Sequence, residues 1–129
     1  MLSSSSNRIK IIFALPSLLA GGGIENHAVQ QIRFLSNITY DIHVITLFLY
    51  PNRPTLFDML PPYVTVHQFS LKGTFDMKGF IAIYFLLKQI APDLVVSSMF
   101  SANTIFRLLK PFVGYISIAR EHNTYTDKK

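Results

Sequence analysis

The chain has 129 residues, half of them hydrophobic, no cysteine and a formal net charge of +5. That length suits one domain and that apolar fraction builds a continuous core, while the lack of cysteine excludes disulfides, thiolate metal sites and thiol nucleophiles. The positive charge favours anionic partners such as phosphates or nucleotides, but it is spread along the chain with no basic block, which argues against a nucleic-acid partner.

Met1 to Asn7, with four serines in succession, has nothing to bury and reads as a disordered leader. Ile9 to Leu15 is a short apolar run ended by Pro16, the pattern of a parallel strand buried on both faces. Together with Arg8 and Lys10, the run from Ile11 to Ala20 imitates a secretory signal. Pro16 interrupts it, however, and Leu18 stands where cleavage needs a small residue. Gly21, Gly22 and Gly23 follow, and from Ile24 to Leu35 the apolar residues Ile24, Ala28, Ile32 and Leu35 recur at helical spacing.

Asp41 to Leu49 reads as a second strand, and Tyr50 to Pro62, with four prolines, as a loop. Val64 to Phe69 alternates like a third strand. Asp76 to Ala91 is a long apolar helix closed by Pro92, and its stretch from Phe80 to Leu87 is far shorter than the ~20 residues that span a bilayer. Phe80, Tyr84 and Phe85 on that helix are accounted for by core packing, with a membrane-facing surface between Lys78 and Lys88 as the alternative. Leu94 to Ser98 is a fourth strand, Ala102 to Lys110 a third helix stopped by Pro111, and Val113 to Ala119 a fifth strand leading to Arg120, Glu121, His122 and Asn123.

Strands alternating with helices, most apolar enough to be sandwiched, specify an α/β fold: a Rossmann-like parallel sheet with helices on both faces. Ligands of such sheets bind at the carboxyl ends of the strands. There the three glycines either make a tight strand-to-helix turn or bring backbone amides and a helix N-terminus close to a phosphate or sugar hydroxyl. Neither common nucleotide fingerprint is satisfied: Asn26 stands where a dinucleotide motif needs glycine, Asp41 begins the second strand rather than ending it, and the phosphate-loop Lys-Ser/Thr pair is missing. A nicotinamide-dependent oxidoreductase is disfavoured on that ground. Ser97, Ser98, Ser101 and Asn103 cluster after the fourth strand, with Ser101 or Asn103 read as a cap of the third helix. His43 and His67 fall inside strands and are read as structural, His27 as a surface residue, and no spacing of histidines and carboxylates suggests a metal site.

A first strand of the type KIIFALPSL, a glycine loop running into GGIEN, the segment APDLVVSSMFSAN and a strand ending ISIAREHNT together resemble the N-terminal domain of family 4 retaining GT-B glycosyltransferases. The resemblance runs from about Arg8 to Thr124. It implies an acceptor-side Rossmann-like domain over residues 8 to 129, the truncated N-terminal half of a GT-B fold, inactive without the second domain that holds most donor contacts. It also implies transfer of a sugar from a nucleotide-sugar donor to a glycan or lipid-linked acceptor, with no cofactor and no metal, in the cytoplasm or at the inner membrane face. By position, His122 is the implied catalytic residue, and Gly21, Gly22, Gly23, Glu25, Asn26, Ser98, Arg120, Glu121 and Asn123 are the implied substrate-binding residues. The alternative is a stand-alone ligand-binding or interaction module of the same fold.

Overall fold

The structure, a computed structural model, describes residues 8–21, 23–35, 37–50 and 52–120. Five strands, β1 (Ile9–Leu15), β2 (Tyr40–Thr46), β3 (Thr65–Gln68), β4 (Leu94–Ser98) and β5 (Ile116–Arg120), pair in the order β3-β2-β1-β4-β5. Every pairing is parallel. Helices α1 (Gly23–Phe34), α2 (Met77–Ile90) and α3 (Met99–Val113) make three of the crossovers, and the loop from β2 to β3, with a 3-10 turn at Phe57–Met59, makes the fourth. The fold is the Rossmann-like α/β class expected from the alternation of elements.

The segment that imitates a secretory signal begins as the central strand. β1 pairs on both sides, and Ile11 to Leu15 are all buried. Its side chains alternate between two cores, as the two-residue period of a strand requires. Ile11, Phe13 and Leu15 join Ile42, Val44 and the inner face of α1, formed by Ala28, Val29 and Ile32. Ile12 and Ala14 join Ile45, Val95 and the inner faces of α2 and α3. Removing a large aliphatic side chain from water contributes about 1.5–3 kcal/mol, so these two layers supply the main driving force for folding.

The ends of the elements differ from the sequence expectation at β2, which stops at Thr46 rather than Leu49, and around α3. α3 begins at Met99, directly after β4, and runs through Pro111 to Val113, so β5 begins at Ile116 rather than Val113. Pro111 lies in the last turn and removes only one backbone donor there. Gly114, at φ 81°, ends the helix with its amide donating to the Lys110 carbonyl. Ser101 and Asn103 therefore lie inside α3 and cap nothing. Asn103 is instead a buried cross-brace: its Oδ1 accepts from Ser97 Oγ at 2.7 Å and its Nδ2 donates to the Arg120 carbonyl at 3.1 Å, tying α3 to the carboxyl ends of β4 and β5. Ser101 Oγ accepts from Thr74 Oγ1 at 3.1 Å. At the opposite edge, Asp93 accepts from the Lys10 backbone amide at 2.8 Å, and its own carbonyl accepts from Ile116.

His43 and His67 are brought together from neighbouring strands. Their rings stack with centroids 5.3 Å apart, and His43 Nδ1 lies 3.1 Å from His67 Nε2. Asp41 stands 3.4 Å from the other nitrogen of His43. Burial, and then the neighbouring His43, lower the pKa of His67 below its ordinary 6.5.

Two predictions follow from these polar contacts. Asn103→Ala leaves the Ser97 hydroxyl and the Arg120 carbonyl without their partner, and urea denaturation should show a loss of about 1–3 kcal/mol. For His67, the unfolded chain binds its proton more tightly than the folded one. Stability is therefore full above about pH 6.5 and falls as the pH drops through that value. Melting temperatures measured down an acid series should show this decline, and His67→Gln should flatten it.

Candidate functional site

The crossovers leave β1 in opposite directions: the chain steps outward through β2 and β3, then returns across β1 to β4 and β5. The sheet therefore has its topological switch point between β1 and β4, where adjacent crossovers diverge and open a crevice at the carboxyl ends. Ala14 pairs with Ser97, so the loop after β1 and the start of α3 leave the sheet side by side.

On the β1 side, Gly21 takes a φ of 93°, where an L side chain is strained, and a Cβ there would meet nothing within 4 Å. Its glycine answers a backbone requirement. Gly23 opens α1 with no positive φ and no nearby atom, so neither the turn nor close packing within the described residues requires glycine at that position. Glu25 sits in the first turn of α1, where a carboxylate is favoured by the helix dipole, and Asn26 is exposed beside it.

On the β4 side, Ser98 is buried, and its hydroxyl makes no hydrogen bond within the described residues although it occupies the N-cap position of α3. Met99, the next residue, has a φ of 72°, a left-handed conformation that a non-glycine residue adopts only under constraint. The first turn of α3 carries no acidic side chain. Its leading amides thus retain their affinity for an anion.

Arg120 ends β5 and donates from Nη1 to Gln31 Oε1 on α1, so the partner of its guanidinium within the described residues is an amide. Gly22, Glu121, His122 and Asn123 lie outside the described residues.

The sequence reading missed the cavity beside this crevice. About 310 Å³ in volume, it lies over the carboxyl ends of β1, β2 and β3. The region read as a plain proline loop folds back to wall it: Leu19 bridges Thr55, the Ala20 amide donates to the Pro54 carbonyl at 2.9 Å, and the Leu56 amide donates to the Leu18 carbonyl at 2.8 Å. Ser17 (7% exposed) and Thr46 (2%) line the cavity, and neither hydroxyl makes a hydrogen bond within the described residues. Arg53, Tyr50 and Gln68 add a cation, a phenol and an amide to the same lining, against apolar Phe57. Buried hydroxyls without protein partners are costly unless something else supplies the bond, so their partners must come from water or from a ligand that enters the cavity. The alternating Thr46 at the end of an apolar strand was the available signal, but nothing local marked it as facing a cavity.

Among the described residues no group of three or more His, Asp or Glu is placed to hold a metal ion, and no helix is long and apolar enough to cross a membrane.

The sheet and its crossovers define a Rossmann-like α/β domain. Among solved structures the chain is similar to the apo form of the lipopolysaccharide outer core galactosyltransferase WaaB, with a TM-score of 0.60 at 14% identity over 88% of this chain. The chain spans 33% of that structure's length. No protein-family model matches the sequence, and no curated protein does.

Thr46→Val removes the hydroxyl while keeping the shape of the side chain. Because that hydroxyl has no partner to lose, the melting temperature should hold or rise while any sugar affinity of the cavity falls. Gly23→Ala should likewise be neutral or stabilise by about 0.4–1 kcal/mol, since alanine fits the helical backbone there. A marked loss of stability in either variant would show that the position is structural.

Proposed function

We infer that this chain forms the acceptor-side domain of a retaining family 4 GT-B glycosyltransferase, which moves a sugar from a nucleotide-sugar donor to a hydroxyl of a glycan or lipid-linked acceptor. The observation that carries this reading is the cavity with two buried hydroxyls, Ser17 and Thr46, that have no partner among the described residues, beside a glycine loop at the carboxyl edge of the sheet. Sequence resemblance and the likeness of fold to a galactosyltransferase point the same way.

In this reading the acceptor sugar sits in the cavity, with Ser17, Thr46 and Gln68 bonding its hydroxyls and Tyr50 lying against the ring. The donor diphosphate lies in the switch-point crevice, against the amides of Gly21 to Gly23 and the first turns of α1 and α3, where partial positive charge favours an anion. Glu25, Asn26 and Ser98 offer hydrogen bonds to donor or acceptor there, with Arg120 at the end of β5, and the resemblance adds Glu121 and Asn123 as substrate-binding residues. During transfer the bond from the anomeric carbon to the diphosphate oxygen breaks and the acceptor oxygen takes that carbon. The acceptor's proton leaves with the diphosphate. Most of the rate enhancement then comes from stabilising the departing negative charge, and His122 is the side chain assigned to the reacting centre. A second domain supplies the remaining donor contacts, and the chain alone binds without turning over.

Nuclear magnetic resonance titration of the labelled chain with hexoses, nucleoside-diphosphate sugars and NAD tests this. Saturable shifts at Ser17, Thr46 and Arg53 with sugar, reduced about tenfold in affinity by Thr46→Val, are expected from a lost hydrogen bond in a desolvated site. Saturation by NAD with no response to any sugar would overturn the assignment.

A further inference from the structure

The cavity over β1, β2 and β3 is graded from its floor to its mouth. Ser17 and Thr46, both more than nine-tenths buried, form the floor, Phe57 is half-buried on the wall, and Tyr50, Gln68 and Arg53 are exposed at the rim. At about 310 Å³ the cavity stands at the small end of ligand pockets, which run from about 300 to 1,000 Å³, so it suits one sugar unit. The loop is held on both sides of Arg53. The Arg53 amide donates to the Tyr50 carbonyl at 3.2 Å, Pro54 follows and restricts the backbone before it, and Thr55 bridges Leu19 on the segment after β1. The guanidinium carried by that fixed backbone makes no hydrogen bond and no ion pair within the described residues.

Charge decides what this arrangement selects. Among the described residues Arg53 is the single charged side chain in the lining, and no Asp or Glu accompanies it. Asp58, the nearest acid along the loop, is exposed outside the lining and forms no ion pair with it. A sugar hydroxyl both donates and accepts, and a neutral amide such as that of Gln68, or a carboxylate, would hold it as well. A planar fork of donors with a full positive charge and no acceptor gains over those groups only when the ligand brings negative charge, which it grips through two parallel bonds. Its place at the mouth lowers the cost of that pairing, since the ligand's charge need not be carried down to the dry floor.

We propose that Arg53 makes the cavity selective for a sugar that carries an anionic group, a carboxylate or a phosphate, with the ring hydroxyls on Ser17 and Thr46 and the negative charge on the Arg53 guanidinium. The proposal rests on the reading of the cavity as the acceptor site, and it narrows that acceptor from any hydroxyl-bearing sugar to a negatively charged one.

Calorimetric titration of the chain with matched pairs of sugars tests it: galactose against galacturonate for the carboxylate, and glucose against glucose 6-phosphate for the phosphate. In at least one pair the charged sugar is expected to bind about tenfold tighter at low salt, the gain from a charge-assisted bond, and the pair that shows it identifies the group. Raising the salt should shrink the preference, because the guanidinium is exposed. Arg53→Gln should bring the charged sugar down to the affinity of its neutral counterpart and leave the neutral sugar unchanged. Arg53→Lys should keep only part of the preference, because a point charge lacks the fork. Equal melting temperatures will show that both variants remain folded. Equal affinities within both pairs, insensitive to Arg53→Gln, would overturn the proposal and leave the acceptor reading standing. Inorganic phosphate bound as tightly as glucose 6-phosphate would also overturn it, since the ring would then contribute nothing. Failure of all four sugars to bind would overturn the acceptor reading together with the proposal.

Discussion

The pairing of β1 on both of its edges, with apolar side chains on both of its faces, is the constraint from which the rest of the structure follows. A strand so enclosed has no solvent-facing side, so α1 must cover one face and α2 with α3 the other. Parallel pairing then forbids short turns, and each connection becomes a crossover that returns the chain to the same edge. Because the crossovers leave β1 toward both sides, a crevice opens at that edge beside it. The site is thus a consequence of how the central strand is buried, and the glycine loop occupies the place where the fold itself has left room.

Few polar groups are admitted to this interior, and those that are present join layers that apolar contact alone would leave free to slide. Asn103 links α3 to β4 and β5, and the Tyr115 hydroxyl donates to the Phe106 carbonyl in a site whose burial pushes the pKa of the phenol upward. These groups are satisfied. Ser17, Thr46 and Ser98 are buried without partners among the described residues, and they gather at the carboxyl edge, Ser17 and Thr46 in the cavity and Ser98 at the start of α3. The contrast separates polar groups that hold the fold from those available to a ligand.

The same molecule divides its surface by chemistry. Small hydroxyls gather in the cavity at the sheet edge, whereas the outer side of α2 and α3 presents aromatic and aliphatic side chains among lysines.

The sequence by itself determined the class of fold, because two-residue and 3.6-residue periodicities are local and each element declares its buried face within a dozen residues. Five strands, three helices and the glycine junction were legible for that reason. On the inner face of α1, Ala28 and Ile32 were legible, Ile24 and Leu35 pack there partly buried, and Val29 was missed. Tertiary structure decided the strand order, the fate of Asn103 and Ser101, and the passage of α3 through Pro111, where the αL glycine three residues on proved the true stop. It also decided the meeting of His43 with His67 and the folding of the proline loop over Thr46. Each joins groups far apart along the chain or depends on what surrounds a residue rather than on what precedes it. No local pattern encodes such a partner, since the energy that selects it exists only once both layers are packed on the sheet.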